Sequence, residues 1–209
     1  MPWPARRRQI RAKNASQARS RATVDALVEA TARILVRDGF EKASTNRIAE
    51  IAGVSVGSLY QYFPSKEALV AAVIERHNEE IMGIVRAALV EVADLPIDKA
   101  VRKLVTVAIE AHRINPKLHR VLAEQIPRTG QLKDVEAFNR EVQTLVRSYL
   151  ESRRKEMRKV DLDVATFICV SAIESVAHNT VLHGAEMLSE KMVKVLVDET
   201  TRLVVGYLR

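Results

Sequence analysis

Residues 45–66, TNRIAEIAGVSVGSLYQYFPSK, restrict the possible folds more than any other stretch, because they encode two short amphipathic helices and the break between them. In the first segment Ile48, Ile51 and Ala52 recur on one side at helical spacing, while Asn46, Arg47 and Glu50 fall on the other. Gly53 then interrupts the helix, since glycine adopts the left-handed backbone that a sharp inter-helix turn requires. Ser55 follows as a cap able to accept from the backbone N–H groups that open a second helix. There Val56, Leu59 and Phe63 are predicted to point inward, and Gly57, Ser58, Tyr60 and Gln61 outward. Helix, glycine-bearing turn, helix is the arrangement that presents its second helix to the DNA major groove.

The flanking sequence is helical too. Val24, Leu27, Val28, Thr31, Ile34 and Leu35 form a stripe closed by Gly39, which completes a three-helix domain over residues 22–66. Ser65 caps a long fourth helix, whose stripe from Leu69 through His77 and Ile84 to Val92 is unbroken by any linker. Pro96, Pro116 and Pro127 separate a fifth and a short sixth helix, and a seventh carries Val135, Phe138, Val142, Leu145 and Tyr149. An eighth runs from about Asp163 to Leu182, and Ser189 caps a ninth. With seven Gly, six Pro and 4% aromatic residues there is little strand chemistry, so the expected class is all-α with about nine helices. The eighth helix is apolar around nearly all of its circumference, through Val164, Phe167, Ile168, Val170, Ile173, Val176, Val181 and Leu182. Such a helix is covered on two sides, one of which can meet a second protomer.

Charge and cysteine usage narrow the class further. A net charge of +7 favours an anionic partner, and Arg6, Arg7, Arg8, Arg11, Lys13, Arg19 and Arg21 crowd into residues 1–21 without one acidic group. That segment is predicted to be a disordered basic arm, either simply solvated or adding phosphate or minor-groove contacts. The single Cys169 excludes an internal disulfide and a cysteine-rich zinc site, and suits a reducing cytoplasm. No apolar run reaches bilayer-crossing length, because residues 164–173 are interrupted by Thr166 and Ser171, so no membrane partner is expected.

An ordered set of motifs spans residues 23–69: Gly39-Phe40, Thr45, Ile48-Ala49, Gly53-Val54-Ser55, the run from Gly57 to Phe63, Ser65-Lys66-Glu67 and Leu69. This set resembles the amino-terminal domain of TetR-family transcriptional regulators. The resemblance implies a ligand-responsive repressor that binds a palindromic double-stranded operator as a homodimer joined through its last two helices. It also implies that residues 67–209 form a helical ligand-binding and dimerisation domain, with a pocket among helices four to eight and the fourth helix relaying its state. Thr45, Ser58, Tyr60, Tyr62 and Lys66 match backbone-contacting positions of the family, with Tyr62 also suited to core packing.

Arg47 and Gln61 are the candidates for base readout, by guanidinium to guanine and by amide to adenine. For Arg47 a phosphate contact or an ion pair with Glu50 is the alternative. Val56 and Gly57 complete the expected DNA surface, Gly57 by allowing close approach. For an effector the candidates are His112, Phe138, Phe167, Ser171, Glu174, Ser175 and His178, around a cavity suited to a flexible aliphatic molecule. Each has a structural alternative: Phe138, Tyr149 and Phe167 as core, Glu174 with His178 as an i,i+4 pair. No phosphate loop, nucleophile elbow or HExxH motif occurs, so neither catalysis nor a cofactor is expected. A metal sensor built on His112, His119, His178 and His183 is disfavoured because these residues are scattered in the sequence. A nonspecific architectural DNA binder and a helical-bundle enzyme are the remaining alternatives.

Overall fold

Glycines at positive φ punctuate the amino-terminal part of the chain: Gly39 at 79° and Gly53 at 68° are the two residues that turn it between short helices. The computed structural model describes the backbone of residues 4–129, 132–183 and 186–209, and side-chain surroundings for 17–124, 136–137, 139–183 and 186–209. Among these residues there are nine α-helices, one 3-10 turn and no strand. Contacts divide the chain into residues 1–74 and 75–209, a boundary inside the fourth helix rather than at its start.

The first unit holds α1 (Pro4–Asp38), α2 (Thr45–Ala52), α3 (Val56–Tyr62) and the opening of α4 (Lys66–Val92). Ser44 caps α2 by accepting from the Arg47 N–H, and Ser55 caps α3 by accepting from the Ser58 N–H at 3.0 Å. Gly53 ends α2 with its N–H turned back to the Ala49 and Glu50 carbonyls. Leu27, Ile34, Leu35, Ile48, Ala49, Leu59, Leu69 and Val70 are fully buried and form the core of this unit. Residues 4–21 continue α1, where a disordered arm is expected from the sequence; their Ala, Arg, Lys and Gln are strong helix formers growing from an anchored helix. Residues 1–3 lie outside the described residues.

The second unit contains the rest of α4, then α5 (Ile97–Arg113), α6 (Pro116–Thr129), α7 (Leu132–Ser152), the 3-10 turn Arg154–Glu156, α8 (Leu162–Leu182) and α9 (Glu190–Leu208). Within it α5 packs against both α8 and α9, and α7 against α8, around Val101, Val105, Ile109, Leu150, Ala165, Cys169 and Val204. Polar groups fasten the ends: Glu156 accepts from the Ile97 N–H at 2.9 Å, supplying the cap that Pro96 lacks, and Asp161 caps α8 at the Val164 N–H. Helix α6 passes Pro127, where the sequence predicts its end; proline's φ fits a helix and the ladder loses one bond near its terminus.

Helix α8, 21 residues of mean hydropathy 1.3, is long and apolar enough to cross a bilayer by length and composition alone, contrary to the expectation that no run would be, a test that the core helices of soluble bundles also pass. One face, including Ala165, Cys169, Ala177 and Val181, is buried in the unit's own core. The other leaves Val164, Phe167, Ile168 and Leu182 exposed.

Candidate functional site

Two regions gather the residues that can act on something outside the chain, one in each unit. In the first, the cap at Ser55 fixes where α3 starts, and burial of Leu59 fixes its rotation. The remaining faces of this seven-residue helix are therefore turned outward. Gln61 and Gly57 are exposed, and Tyr60 and Tyr62 are 53% and 36% exposed. Val56 is also exposed, at 36%, which corrects its expected inward orientation while keeping it available to a partner. Ile51 is likewise exposed, and the buried pair of α2 is Ile48 with Ala49. Helices this short have barely two turns, so one apolar residue outside the core blurs the stripe.

Several of the predicted contact residues are held by one another. Thr45 Oγ1 and Tyr60 Oη lie 3.2 Å apart, tying the first residue of α2 to α3. The Ser58 hydroxyl lies 2.8 Å from that of Ser55. Arg47 forms an ion pair at 3.1 Å with Asp38, at the end of α1, rather than with Glu50, the ion-pair alternative. A hydrogen bond from Arg37, and the charges of Arg37, Arg47 and Lys42, hold the Asp38 carboxyl below its usual range against the opposing effect of burial. Lys66 donates to the Phe40 carbonyl at 3.2 Å and sits 3.9 Å above the Phe40 ring, so it braces the unit as well as carrying a charge. At Gly57 an added Cβ meets only the Ser55 hydroxyl oxygen, at 3.8 Å, so packing within the protein does not demand a glycine there.

In the second unit a narrow cavity of about 80 Å³ lies among α4, α5, α7, α8 and α9. Ile81, Val85, Leu104, Val146, Val170 and Ile173 are typical of its aliphatic wall, and His112 and Glu174 bring the charged groups. The Cys169 thiol in that wall is pushed up to about 11 by burial and stays protonated. Of the effector candidates, the structure brings His112, Glu174 and His178 together. Phe167 is 58% exposed, and Ser171 and Ser175 are exposed with it, one and two turns along the same outer stripe of α8. These three are thereby removed from the cavity, and Phe167 from the core as well. The physical reason is that an all-round apolar helix does not reveal which of its faces turns inward. The Phe138 side chain lies outside the described residues.

The histidines are not scattered in space. His77 Nε2 lies 3.0 Å from His119 Nδ1, and His119 Nε2 lies 2.8 Å from His178 Nδ1. His112 packs edge-on against His119, centroids 4.7 Å apart, and places its Nε2 3.2 Å from a Glu174 carboxylate oxygen. Burial lowers the His112 pKa, but the bond to Glu174, the Glu174 charge and the Ala108 carbonyl outweigh it and hold the group above its usual value. Burial, then the charge of His112, pushes His77 down to about 4; the same effects, with His77 and His178 adding theirs, push His119 down to about 3. His178 is lowered by burial despite the Glu174 charge. The surroundings thus favour the charged form of the His112–Glu174 pair and the neutral form of the three imidazoles beside it. Sequence reading missed His77, whose place in the α4 apolar stripe marked it as core, and misjudged His119. His183, named with the others, is exposed and bonds to the Asn179 carbonyl.

Comparisons with known proteins agree with this architecture. Residues 96–208 match the family described as tetracyclin repressor-like, C-terminal domain, and residues 27–73 match bacterial regulatory proteins of the tetR family. Over 85 residues the chain is 35% identical to the nucleoid occlusion factor SlmA of Actinobacillus pleuropneumoniae, a stretch that is 41% of each protein. Over 63 residues it is 41% identical to the transcriptional activator FasR of Mycolicibacterium smegmatis, covering 30% of this chain and 29% of that one. The chain therefore spans well under half the length of these relatives. A TetR-family transcriptional regulator from Mesorhizobium loti has a similar fold, with TM-score 0.74 over 90% of this chain and 97% of that one, at 17% identity.

Proposed function

Because the chain belongs to the TetR family of bacterial regulatory proteins, we propose that it binds a palindromic DNA operator as a homodimer and releases it when a small molecule occupies the second unit. The observation that carries this reading is the outward face of α3, where Gly57, Tyr60 and Gln61 stand exposed around a helix anchored by Leu59. Arg and Gln are the side chains able to pair with base edges in bidentate fashion, so Gln61 supplies readout, and Arg47 does so once it exchanges Asp38 for the nucleic acid. Thr45, Ser58, Tyr60, Tyr62 and Lys66 position the helix on phosphates, a sequence-blind contribution that weakens with salt.

Dimerisation is supported by the apolar residues that one protomer leaves in water on its last two helices: Val164, Phe167, Ile168 and Leu182 on α8, and Val195 and Leu203 on α9. A second copy of the same surface covers them by two-fold symmetry. The aliphatic cavity suits an effector with a flexible hydrocarbon body and one polar end directed at His112 and Glu174. Ile81, Val85 and Leu89 bring α4 into the cavity wall, so a ligand that widens the cavity displaces that helix and, through it, the reading heads. The role is regulatory rather than catalytic, and the setting cytoplasmic.

Selection of bound duplexes from a random pool tests the reading. The expected product is an inverted repeat whose half-sites are spaced by about 34–36 Å, one helical turn, or a multiple of it. Recovery of unrelated sequences with equal affinity at fixed salt would instead favour an architectural binder.

A further inference from the structure

Four of the chain's five histidines converge from four separate helices: His77 on α4, His112 on α5, His119 on α6 and His178 on α8. One ring nitrogen from each of His112, His119 and His178 lies within 4.8 Å of the other two, and Glu174 adjoins this cluster with an oxygen 3.2 Å from His112 Nε2. We propose that His112, His119 and His178, with Glu174 as a fourth ligand, bind a divalent transition-metal ion of the zinc type. The site owes nothing to the DNA reading and can be tested without DNA.

The donor set suits such an ion, since imidazole nitrogen and carboxylate oxygen are ligands for zinc, nickel and cobalt, whereas calcium and magnesium require oxygen. The spacing suits it as well. Tetrahedral bonds of about 2.0–2.1 Å set neighbouring ligand atoms roughly 3.3 Å apart. The contact of 2.8 Å between His119 Nε2 and His178 Nδ1 and that of 3.2 Å between His112 Nε2 and Glu174 both lie just below this value. Side-chain rotation closes the remaining gaps.

The outer nitrogens of His112 and His119 have partners of the kind that metal-bound histidines require. His112 Nδ1 faces the Ala108 carbonyl at 2.8 Å, which can only accept, so this nitrogen carries a proton and Nε2 is the ligand atom. His119 Nδ1 lies 3.0 Å from His77 Nε2, and in the tautomer in which it donates there, its Nε2 lone pair is left for the ion. His77 is therefore a positioning residue. Glu174, its side chain 45% exposed, adds negative charge and a route of entry.

The test uses tag-free full-length protein stripped by chelator and titrated with Zn²⁺ against a chromophoric competitor, with Co²⁺ as a spectroscopic probe. The expected result is one ion per protomer at micromolar or tighter affinity, with the intense visible bands of four-coordinate cobalt. His178→Ala and Glu174→Gln each weaken binding by about tenfold or more, whereas His183→Ala leaves it unchanged. Circular dichroism confirms helicity in each variant, and Glu174→Gln, at a half-exposed residue, keeps the test valid if His178→Ala does not fold. Absence of saturable binding, the pale spectrum of six-coordinate cobalt, or affinity that survives both substitutions overturns the site and leaves a hydrogen-bonded stack of structural histidines.

Discussion

Replacing Gly57 with alanine separates the demands of the fold from those of the partner, because the two respond with opposite sign. The new Cβ meets only the Ser55 hydroxyl oxygen at 3.8 Å, an ordinary contact, and Gly57 is not among the positive-φ glycines. The protein therefore gains what glycine costs in a helix, roughly 0.5–1 kcal/mol, nearer the lower figure for the second residue of a helix. For a chain of this size the melting temperature should rise by about 1–4 °C. On DNA the methyl group projects from the outward face of α3 and holds it off the bases by on the order of one ångström, which carries donor–acceptor distances of about 3 Å past the hydrogen-bonding limit. Loss of one such pair is worth about 1–3 kcal/mol, roughly 5- to 150-fold in affinity. Calorimetric melting and fluorescence anisotropy with the selected operator, at one salt concentration, measure both quantities. A raised melting temperature with unchanged operator affinity would refute the placement of α3 against the bases.

Gln61→Ala should cost about 1–3 kcal/mol of discrimination between operator and random duplex, read as a ratio of dissociation constants, with random-duplex affinity nearly constant. Lys66→Ala should weaken every duplex alike and flatten the salt dependence, and it should also lower the melting temperature because the Phe40 carbonyl and ring lose their partner. Ser55→Ala removes the cap of α3 and should cost about 1 kcal/mol, or roughly 2–4 °C of melting temperature, with wild-type stability counting against the cap. Phe167→Glu places a charge on the exposed apolar face of α8; sedimentation should show a folded monomer, and a persistent dimer would mean that this face is not the seam.

The parts of this fold legible in the sequence are those written in local chemistry. Gly53 at positive φ, the serine caps at Ser55 and Ser189 and the break at Pro96 each act within a few residues, so the sequence shows where helices begin and end. Facing is a longer-range property. On α2 and α3 the burial of Ile48 and Leu59 agrees with the pattern, but Ile51 and Val56 do not, because two turns of helix offer few positions from which to define an inward side. On α8 the pattern is ambiguous for the opposite reason. Apolar residues surround the helix, and only packing against α5 and α7 decides that Cys169 turns inward while Phe167 and Ser171 turn out.

The histidines show the same limit in sharper form. Ligand spacing within one helix, such as i and i+4, is visible in a sequence because a single backbone enforces it. The contacts His77–His119, His119–His178 and His112–Glu174 instead join residues 42, 59 and 62 positions apart, and each depends on the mutual register of two helices. His77 within the α4 stripe has the same sequence signature whether its ring meets leucine or another imidazole. What distinguishes the cases is that a buried imidazole needs partners for both ring nitrogens, so an apolar stripe carrying a histidine implies a polar group on whatever packs against it. Here the partners are largely other histidines from distant helices. That requirement of pairing links His77, His119 and His178 to one another, while His112 meets it with the Ala108 carbonyl and Glu174.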